Sequence, residues 1–215
     1  MVILDLIMLR WWKFQKGRVC NMRYHNITKA DMLNGEGLRV VLWVSGCSHK
    51  CPGCHNTITW DPNDGVEFDE TTVKEIFKEL KQDWCSGITL SGGDPLFPGN
   101  RKTIRELVTK IRSNNNYRRK TIWCYTGYTW EQLMEQKKTD KDLEEIINCL
   151  DVLLDGEFMI KLHDDRLHYV GSSNQRILDV KESLRTGTPV LYIDNSNIDR
   201  KNEELGTLFQ CSLNG

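Results

Sequence analysis

The chain has 215 residues, which is long enough for one sizeable domain with its own hydrophobic core. Its 29 basic and 30 acidic residues give a net charge of −1 at pH 7, so a general nucleic-acid-binding surface is not expected. Eight cysteines in a chain of this length, without a secretory leader pattern, favour free or metal-bound thiols in the cytoplasm over a disulfide framework.

The first 21 residues differ in composition from the rest of the chain. Residues 2–9 form an apolar run that is interrupted by Asp5 and is far shorter than the roughly 20 residues needed to cross a bilayer. The run also lacks a basic leader and a small-residue cleavage site, so neither a membrane anchor nor a signal peptide is expected. We expect residues 1–21 to be a poorly ordered extension, with the functional chain beginning near Met22.

From residue 38 onward, apolar runs typical of strands alternate with amphipathic stretches typical of helices. The predicted strands are, in chain order, residues 38–45, 87–90, 121–125, 151–155 and 190–193. The predicted helices carry the apolar stripes Val73/Ile76/Phe77/Leu80, Ile104/Leu107/Val108/Ile111 and Leu143/Ile146/Ile147/Leu150. Thr72 with Glu75 is the expected capping box of the first helix, and Asn100 is the expected N-cap of the second.

This alternation predicts an α/β fold whose parallel sheet is built from βα repeats. The core is expected to span residues 22–194, and the polar tail 195–215 is expected to be loosely ordered. Distinctive segments follow four of the strands: they begin at Cys47, at Ser91, at Thr126 and at Asp155. Because the carboxyl ends of parallel strands share one edge of a sheet, these segments are expected to converge there.

The segment after the first predicted strand, CSHKCPGCHN, has three cysteines in a C-x3-C-x2-C spacing. A disulfide would leave an odd thiol. A structural zinc ion would need His49 or His55 as a fourth ligand. A 4Fe-4S cluster held by three thiolates would keep one iron free for a substrate. The remaining cysteines lie far apart and do not suggest a second cluster: Cys20, Cys85, Cys124, Cys149 and Cys211.

Five segments, in order, resemble the radical S-adenosylmethionine enzymes and, more narrowly, the activating proteins of anaerobic ribonucleoside-triphosphate reductase. They are NGEGLRVVLWVSGCSHKCPGCHN, LSGGDPLFPGN, IWCYTGY, DVLLDGEF and GSSNQRI, which together span residues 34–177. The resemblance implies that the parallel sheet forms a partial, incomplete TIM-like barrel. It also implies that Cys47, Cys51 and Cys54 hold a 4Fe-4S cluster whose open iron binds S-adenosylmethionine.

The resemblance further implies the contacts to S-adenosylmethionine. The carbonyls of Gly92 and Gly93 would accept hydrogen bonds from its ammonium group, and Asp94 would add a charge-assisted hydrogen bond. Gly53, Cys54 and His55 would lie beside the cofactor, although many radical enzymes have an aromatic residue where Gly53 stands. For two further sets of residues, a functional and a structural interpretation both stay open. Ribose-side groups, or helix caps and surface ion pairs, are the alternatives for Asp155, Asn174, Gln175 and Arg176. Electron relays or packing residues are the alternatives for Trp60, Tyr125 and Tyr128.

The implied activity is that of an oxidoreductase that reductively cleaves S-adenosylmethionine and generates a glycyl radical on the large subunit of the reductase. Such an enzyme requires an external electron donor, a flavodoxin or ferredoxin, and is compatible with a homodimer. Neither nucleic acid nor a membrane is an expected partner. Two alternatives stay open: an activase of another glycyl-radical enzyme of the pyruvate formate-lyase type, and a Cys3His zinc binding module.

Overall fold

The computed structural model describes residues 22–192. Their strands are β1 (Arg23–Asp31), β2 (Leu38–Val44), β3 (Val66–Glu67), β4 (Cys85–Gly92), β5 (Thr121–Tyr125), β6 (Val152–Asp155) and β7 (Arg176–Asp179). Their helices are α1 (Glu70–Leu80), α2 (Pro98–Ser113), α3 (Trp130–Gln136), α4 (Lys141–Cys149) and α5 (Val180–Thr186). The expected extension 1–21 and tail 195–215 lie outside the described residues.

The strands form one open sheet in the order β3-β1-β2-β4-β5-β6-β7. The central strands β2, β4, β5 and β6 are mutually parallel. The flanking strands β1, β3 and β7 pair antiparallel. The predicted α/β fold and its four parallel central strands are therefore confirmed.

The two faces of the sheet are covered differently. On β2, Val40, Leu42 and Val44 belong to the large buried core to which every helix contributes, so within residues 22–192 the helices cover one face. The opposite face carries a smaller cluster centred on Trp123 with partly buried aromatic residues around it.

Among residues 22–192, the structure contains no helix whose length and hydropathy would allow it to cross a bilayer.

The predicted cap of α1 is displaced by three residues. The N-cap is Asp69, whose carboxylate accepts hydrogen bonds from the amides of Thr71 and Thr72, and Thr72 closes the capping box from inside the helix. The predicted capping box of Thr72 with Glu75 is therefore wrong. The carboxylate of Asp69 captures the free amides one turn earlier, and an ionised acceptor suits the positive end of the helix dipole.

The predicted cap of α2 is also wrong. This helix begins at Pro98, with Phe97 as an N-cap that makes no side-chain hydrogen bond. Proline suits the first helical position because its φ angle is already helical and it lacks the amide that would be unpaired there. Asn100 lies inside the helix, and its Nδ2 donates to the carbonyls of Ser45 at 2.8 Å and Asp94 at 3.0 Å. It joins the end of β2 to the turn after β4.

The antiparallel strands and the short helices α3 and α5 were not predicted. Most of β1 is half-buried or exposed and its pairing with β2 is irregular, so it lacks a clear two-residue apolar alternation. The predicted strand 190–193 is wrong for its described part. Leu191 forms only an isolated bridge to Leu178 in β7, and Ile193 lies outside the described residues.

Candidate functional site

The segments that follow β2, β4, β5 and β6 meet at the carboxyl edge of the parallel strands, as predicted. The amide of Asp94 donates to the carbonyl of Gly46 at 2.8 Å, which joins the segments after β4 and β2. The amide of Gly156 donates to the carbonyl of Tyr128 at 3.1 Å, which joins the segments after β6 and β5. Gly127 donates its amide to the side chain of Asp94 at 3.1 Å and links the two pairs.

Residues 47–56, here called the cysteine loop, are held at their start and by a hydrogen bond within the loop. The amide of Cys47 donates to the carbonyl of Trp60 at 3.1 Å, and the amide of Cys54 donates to the carbonyl of Cys51 at 3.1 Å. None of the three cysteines forms a disulfide; Cys51 is buried, and Cys47 and Cys54 are half-buried. All three thiols therefore lie on one short, internally bonded loop.

Backbone amides oppose the effect of burial on two of these thiols. Burial raises the pKa of Cys47, and amide hydrogen bonds from His49 and Lys50 oppose that rise. Burial likewise raises the pKa of Cys51, against an amide hydrogen bond from Phe158. Hydrogen bonds to sulfur favour the thiolate form and are among the features that tune iron–sulfur clusters.

This donor set fits a 4Fe-4S cluster better than a single ion. Within residues 22–192, no group of three or more His, Cys, Asp or Glu side chains is arranged to hold one metal ion. In a cubane cluster each thiolate binds a different iron, so the thiols surround the cluster and need not converge on one point. The cysteine loop offers three thiols and not four, which suits a cluster with one iron left for a substrate.

Gly92 and Gly93 bring the turn after β4 into close contact with the base of the cysteine loop. Gly92 has a φ of +106°, which disfavours other residues. A Cβ atom on Gly93 would lie 2.6 Å from the carbonyl oxygen of Gly46 and 2.8 Å from that of Thr59. Close backbone packing therefore requires these glycines. Their predicted contact with a methionine ammonium remains a prediction.

Asp94 is the centre of a buried polar group, here called the Asp94 cluster, formed with His49, Leu96, Thr126 and Gly127. Its side chain is 1% exposed. Oδ2 accepts from Thr126 Oγ1 at 2.9 Å and from the Gly127 amide at 3.1 Å, and it lies 3.0 Å from His49 Nε2. Oδ1 accepts from the Leu96 amide at 2.7 Å. The predicted bond from Asp94 to a substrate ammonium would add to these contacts and stays untested.

His49 makes contacts that the sequence did not reveal. Its Nε2 faces Asp94, and its Nδ1 lies 2.9 Å from Oε1 of Glu157. Its ring packs edge-on against Tyr128, with centroids 4.6 Å apart. Burial lowers the pKa of His49, but hydrogen bonds with Asp94 and Glu157 outweigh this and leave the pKa raised. Because both ring nitrogens are engaged, this arrangement leaves none for a zinc ion.

Gly53, Cys54 and His55, which were predicted to lie beside the cofactor, are less buried or packed differently than His49. His55 is exposed. Gly53 has a φ of +81°, and a Cβ atom there would lie 3.0 Å from Cδ1 of Ile160. Both its backbone conformation and its neighbour therefore favour glycine at the position before Cys54. Cofactor contacts by Gly53, Cys54 and His55 remain predictions.

Asp155 and Arg176 form an ion pair that also anchors α3. Asp155 accepts from the amide of Trp130 at 2.7 Å and from Nε of Arg176 at 2.9 Å. Arg176 pairs in addition with Glu131, in the first turn of α3. For these two residues the arrangement has the form of a helix cap and a salt bridge.

Asn174 and Gln175 contact the backbone after β6. Nδ2 of Asn174 donates to the carbonyl of Glu157 at 2.8 Å, and Nε2 of Gln175 donates to that of Gly156 at 2.9 Å. Oδ1 of Asn174 is buried without a hydrogen-bond partner among the described residues. A ribose-side role is thus compatible with Asn174 and remains a prediction.

Known proteins resemble this chain over most of its length. The sequence model of a family described as "4Fe-4S single cluster domain" matches residues 33–178. A protein of Enterobacteria phage T4 named "Anaerobic ribonucleoside-triphosphate reductase-activating protein" is 40% identical over 156 residues, which cover 73% of this chain and 93% of that protein. Proteins of the same name from Escherichia coli K12 and Haemophilus influenzae are 40% and 39% identical; the matches cover 72% and 73% of this chain and 96% and 97% of those proteins.

Proposed function

The chain belongs to the family of anaerobic ribonucleoside-triphosphate reductase-activating proteins, and we propose that it is a radical S-adenosylmethionine activase of such a reductase. One observation carries this proposal: a loop with three free thiols lies at the carboxyl edge of four parallel strands, closed against a Gly-Gly-Asp turn. Three thiolates hold a cubane cluster and leave one iron for the substrate.

In this proposal Cys47, Cys51 and Cys54 hold the cluster. When bound and reduced, the cluster would supply the electron that cleaves the C5′–S bond of S-adenosylmethionine to give methionine and a 5′-deoxyadenosyl radical. That radical would take a hydrogen atom from a glycine Cα of the reductase. The protein supplies position and shelter from water. The turn at Gly92 and Gly93 would present backbone carbonyls to the substrate ammonium from the side of the loop.

The finer fold that we propose is a partial TIM-like barrel. Two observations support it: β2, β4, β5 and β6 are parallel, and the described helices cover one face only. In βα-repeat barrels the helices lie outside and the ligands bind at the carboxyl ends of the strands. The convergence of four strand-end segments at that edge agrees with this arrangement.

The proposed partners follow from the reaction. The hydrogen donor would be the large subunit of an anaerobic ribonucleoside-triphosphate reductase, as the names of the relatives suggest. The electron would come from a flavodoxin or ferredoxin. A reducing cytoplasm suits free thiols and a thiolate-bound cluster, and a homodimer is compatible with the proposal.

The test is anaerobic reconstitution of the full chain with iron and sulfide. We expect broad absorption near roughly 400 nm that dithionite bleaches, as for thiolate-bound iron–sulfur clusters, and release of 5′-deoxyadenosine from S-adenosylmethionine. Addition of a candidate reductase should give a glycyl-radical doublet in electron paramagnetic resonance. A colourless protein with stoichiometric zinc would refute the activase assignment and support the zinc module.

A second candidate is an activase of another glycyl-radical enzyme, such as one of the pyruvate formate-lyase type. The cysteine loop alone does not distinguish the two, because both reactions need the same open cluster. The radical acceptor does. Cleavage of S-adenosylmethionine with no radical on the reductase, but with a radical on a pyruvate formate-lyase, would decide for the second candidate.

A further inference from the structure

His49 connects the cysteine loop to segments that are distant in sequence. Its Nε2 lies 3.0 Å from Asp94, which is 45 residues away. Its Nδ1 lies 2.9 Å from Glu157, which is 108 residues away. Since Asp94 follows β4 and Glu157 follows β6, one imidazole bonds to the segments that follow two other strands of the sheet.

The imidazole is also enclosed by its neighbours. Its side chain is 8% exposed, although Ser48 and Lys50 on either side are exposed. A Cβ atom on Gly127 would lie 2.4 Å from Cδ2 of the ring, so the absence of a side chain at Gly127 gives the ring its room. Tyr128 packs edge-on against the same ring. Between Cys47 and Cys51, His49 is thus the residue whose side chain turns inward.

We propose that His49 is a positioning residue of this site. It holds the cysteine loop in the orientation in which the loop faces the Gly-Gly-Asp turn, through Asp94 on one side and Glu157 on the other. It acts through the loop and neither binds iron nor touches the reacting atoms. This inference rests on the proposed function, because the orientation matters for where S-adenosylmethionine meets the cluster.

The first test measures the loop without the cluster. We compare amide hydrogen exchange over residues 47–56 in the full apo chain of wild type and of His49→Phe, which keeps a ring beside Tyr128 but removes both nitrogens. Exchange should become about 10-fold faster, because local opening no longer breaks two hydrogen bonds. His168→Phe, a substitution at an exposed histidine outside the cysteine loop, should leave this exchange unchanged.

The second test measures the reconstituted protein. In His49→Phe the iron content should stay near the wild-type value, because the three thiols remain. The concentration of S-adenosylmethionine that half-saturates the change in the electron paramagnetic resonance of the reduced cluster should rise about 10-fold or more, as is typical when a supporting contact is lost. His49→Gln, whose Nε2 can still donate to Asp94, should recover part of this loss. Glu157→Ala should have the smaller effect, because Glu157 is 54% exposed.

The outcomes separate this inference from the proposed function. Unchanged loop exchange and unchanged S-adenosylmethionine binding in His49→Phe would overturn the positioning role. Loss of iron with normal loop exchange would overturn it as well, because His49 would then act as a ligand. If wild-type protein shows no response to S-adenosylmethionine, the proposed function fails, whereas faster exchange in the apo variant would still support the control of the loop by His49.

Discussion

Two buried or half-buried aspartates lie at opposite ends of the parallel strands and have different partners. At the carboxyl end, Asp94 has contacts from a hydroxyl, two backbone amides and the imidazole of His49. At the amino end, Asp151 contacts the guanidinium of Arg112, the ammonium of Lys181 and the amide of Ile122, a group here called the Asp151 cluster. Asp151 is thus paired with two permanent cations, whereas Asp94 contacts a hydroxyl, two amides and one histidine.

The different partners of the two aspartates suggest different roles: Asp151 stabilises the fold, and Asp94 aligns the loops. Burial acts to raise the pKa of Asp151, but its hydrogen bonds with Lys181, Ile122 and Arg112 outweigh burial and leave the pKa lowered, so folding favours the charged form. The Asp94 cluster instead joins the loops that would bind a ligand. In parallel α/β folds the carboxyl end carries function, and the amino end chiefly supports the structure. Substitutions at the two ends should therefore change different measurements.

Loss of one cysteine thiolate at the carboxyl end should be the most damaging change. Cys47→Ala, Cys51→Ala or Cys54→Ala should each abolish stable cluster binding and S-adenosylmethionine cleavage, because two thiolates cannot hold the cubane in place. The apo protein should melt close to the wild-type temperature. Iron and sulfide analysis after anaerobic reconstitution checks this, with Cys149→Ser as the matched control that retains its iron. A cluster that survives any of the three substitutions would contradict the assignment of ligands.

At the amino end, Asp151→Ala should cost about 2–4 kcal/mol in the free energy of unfolding, because it leaves the partly buried Arg112 without its counter-ion. Urea unfolding of the apo chain measures this. At a temperature where the variant is folded, it should still bind the cluster and cleave S-adenosylmethionine. Loss of cleavage without loss of stability would contradict the division of roles between the two ends.

The Asp151 cluster also predicts an acid dependence. The pKa of Asp151 is lower in the folded state than the ordinary value of about 3.9. The contribution of its carboxylate to stability is therefore present above about pH 4 and is lost as the pH falls further. The difference in unfolding free energy between wild type and Asp151→Ala should therefore shrink below about pH 4. A difference that stays constant with pH would show that the carboxylate charge does not contribute.

Asp94→Asn should have a smaller effect on folding and a clear effect on binding. The amide keeps the size of the side chain but offers one acceptor oxygen where the carboxylate offers two, so at least one buried donor loses its partner at a cost of about 1–3 kcal/mol. We expect the KM for S-adenosylmethionine to rise about 10- to 100-fold, with iron retained. If Asp94→Asn only lowered the melting temperature, the two aspartates would have the same role.

The last comparison concerns two glycines, of which Gly187 should show the smaller effect. Gly93→Ala should cost about 1–3 kcal/mol, because the new methyl group would meet the carbonyl oxygens of Gly46 and Thr59. Gly187→Ala should cost about 1 kcal/mol, because its φ of +76° is strained for alanine but nothing lies within 4 Å. Thermal melts of both variants give the comparison. Only Gly93→Ala should also weaken iron binding, since it displaces the cysteine loop.

The parallel centre of the fold was predictable because buried parallel strands are continuous apolar runs, as in residues 38–45 and 121–125. The antiparallel flanks were not, since most residues of β1 are only half-buried and the strand follows no clean alternation. The two helix caps were misplaced for different reasons. At α1 the carboxylate of Asp69 takes the role expected of Thr72 with Glu75, and at α2 Pro98 replaces a side-chain cap.

The number and spacing of the cysteines, and the strand that they follow, could be read from the sequence, because C-x3-C-x2-C and strand periodicity are local properties of the chain. The contacts of the neighbouring polar side chains, in contrast, depend on the folded chain. His49 looked like a candidate metal ligand, yet it bonds to carboxylates 45 and 108 residues away. Asn100 looked like a cap, yet it joins two strand ends. The order of strands in the sheet brings such residues together, and a linear pattern does not contain that order.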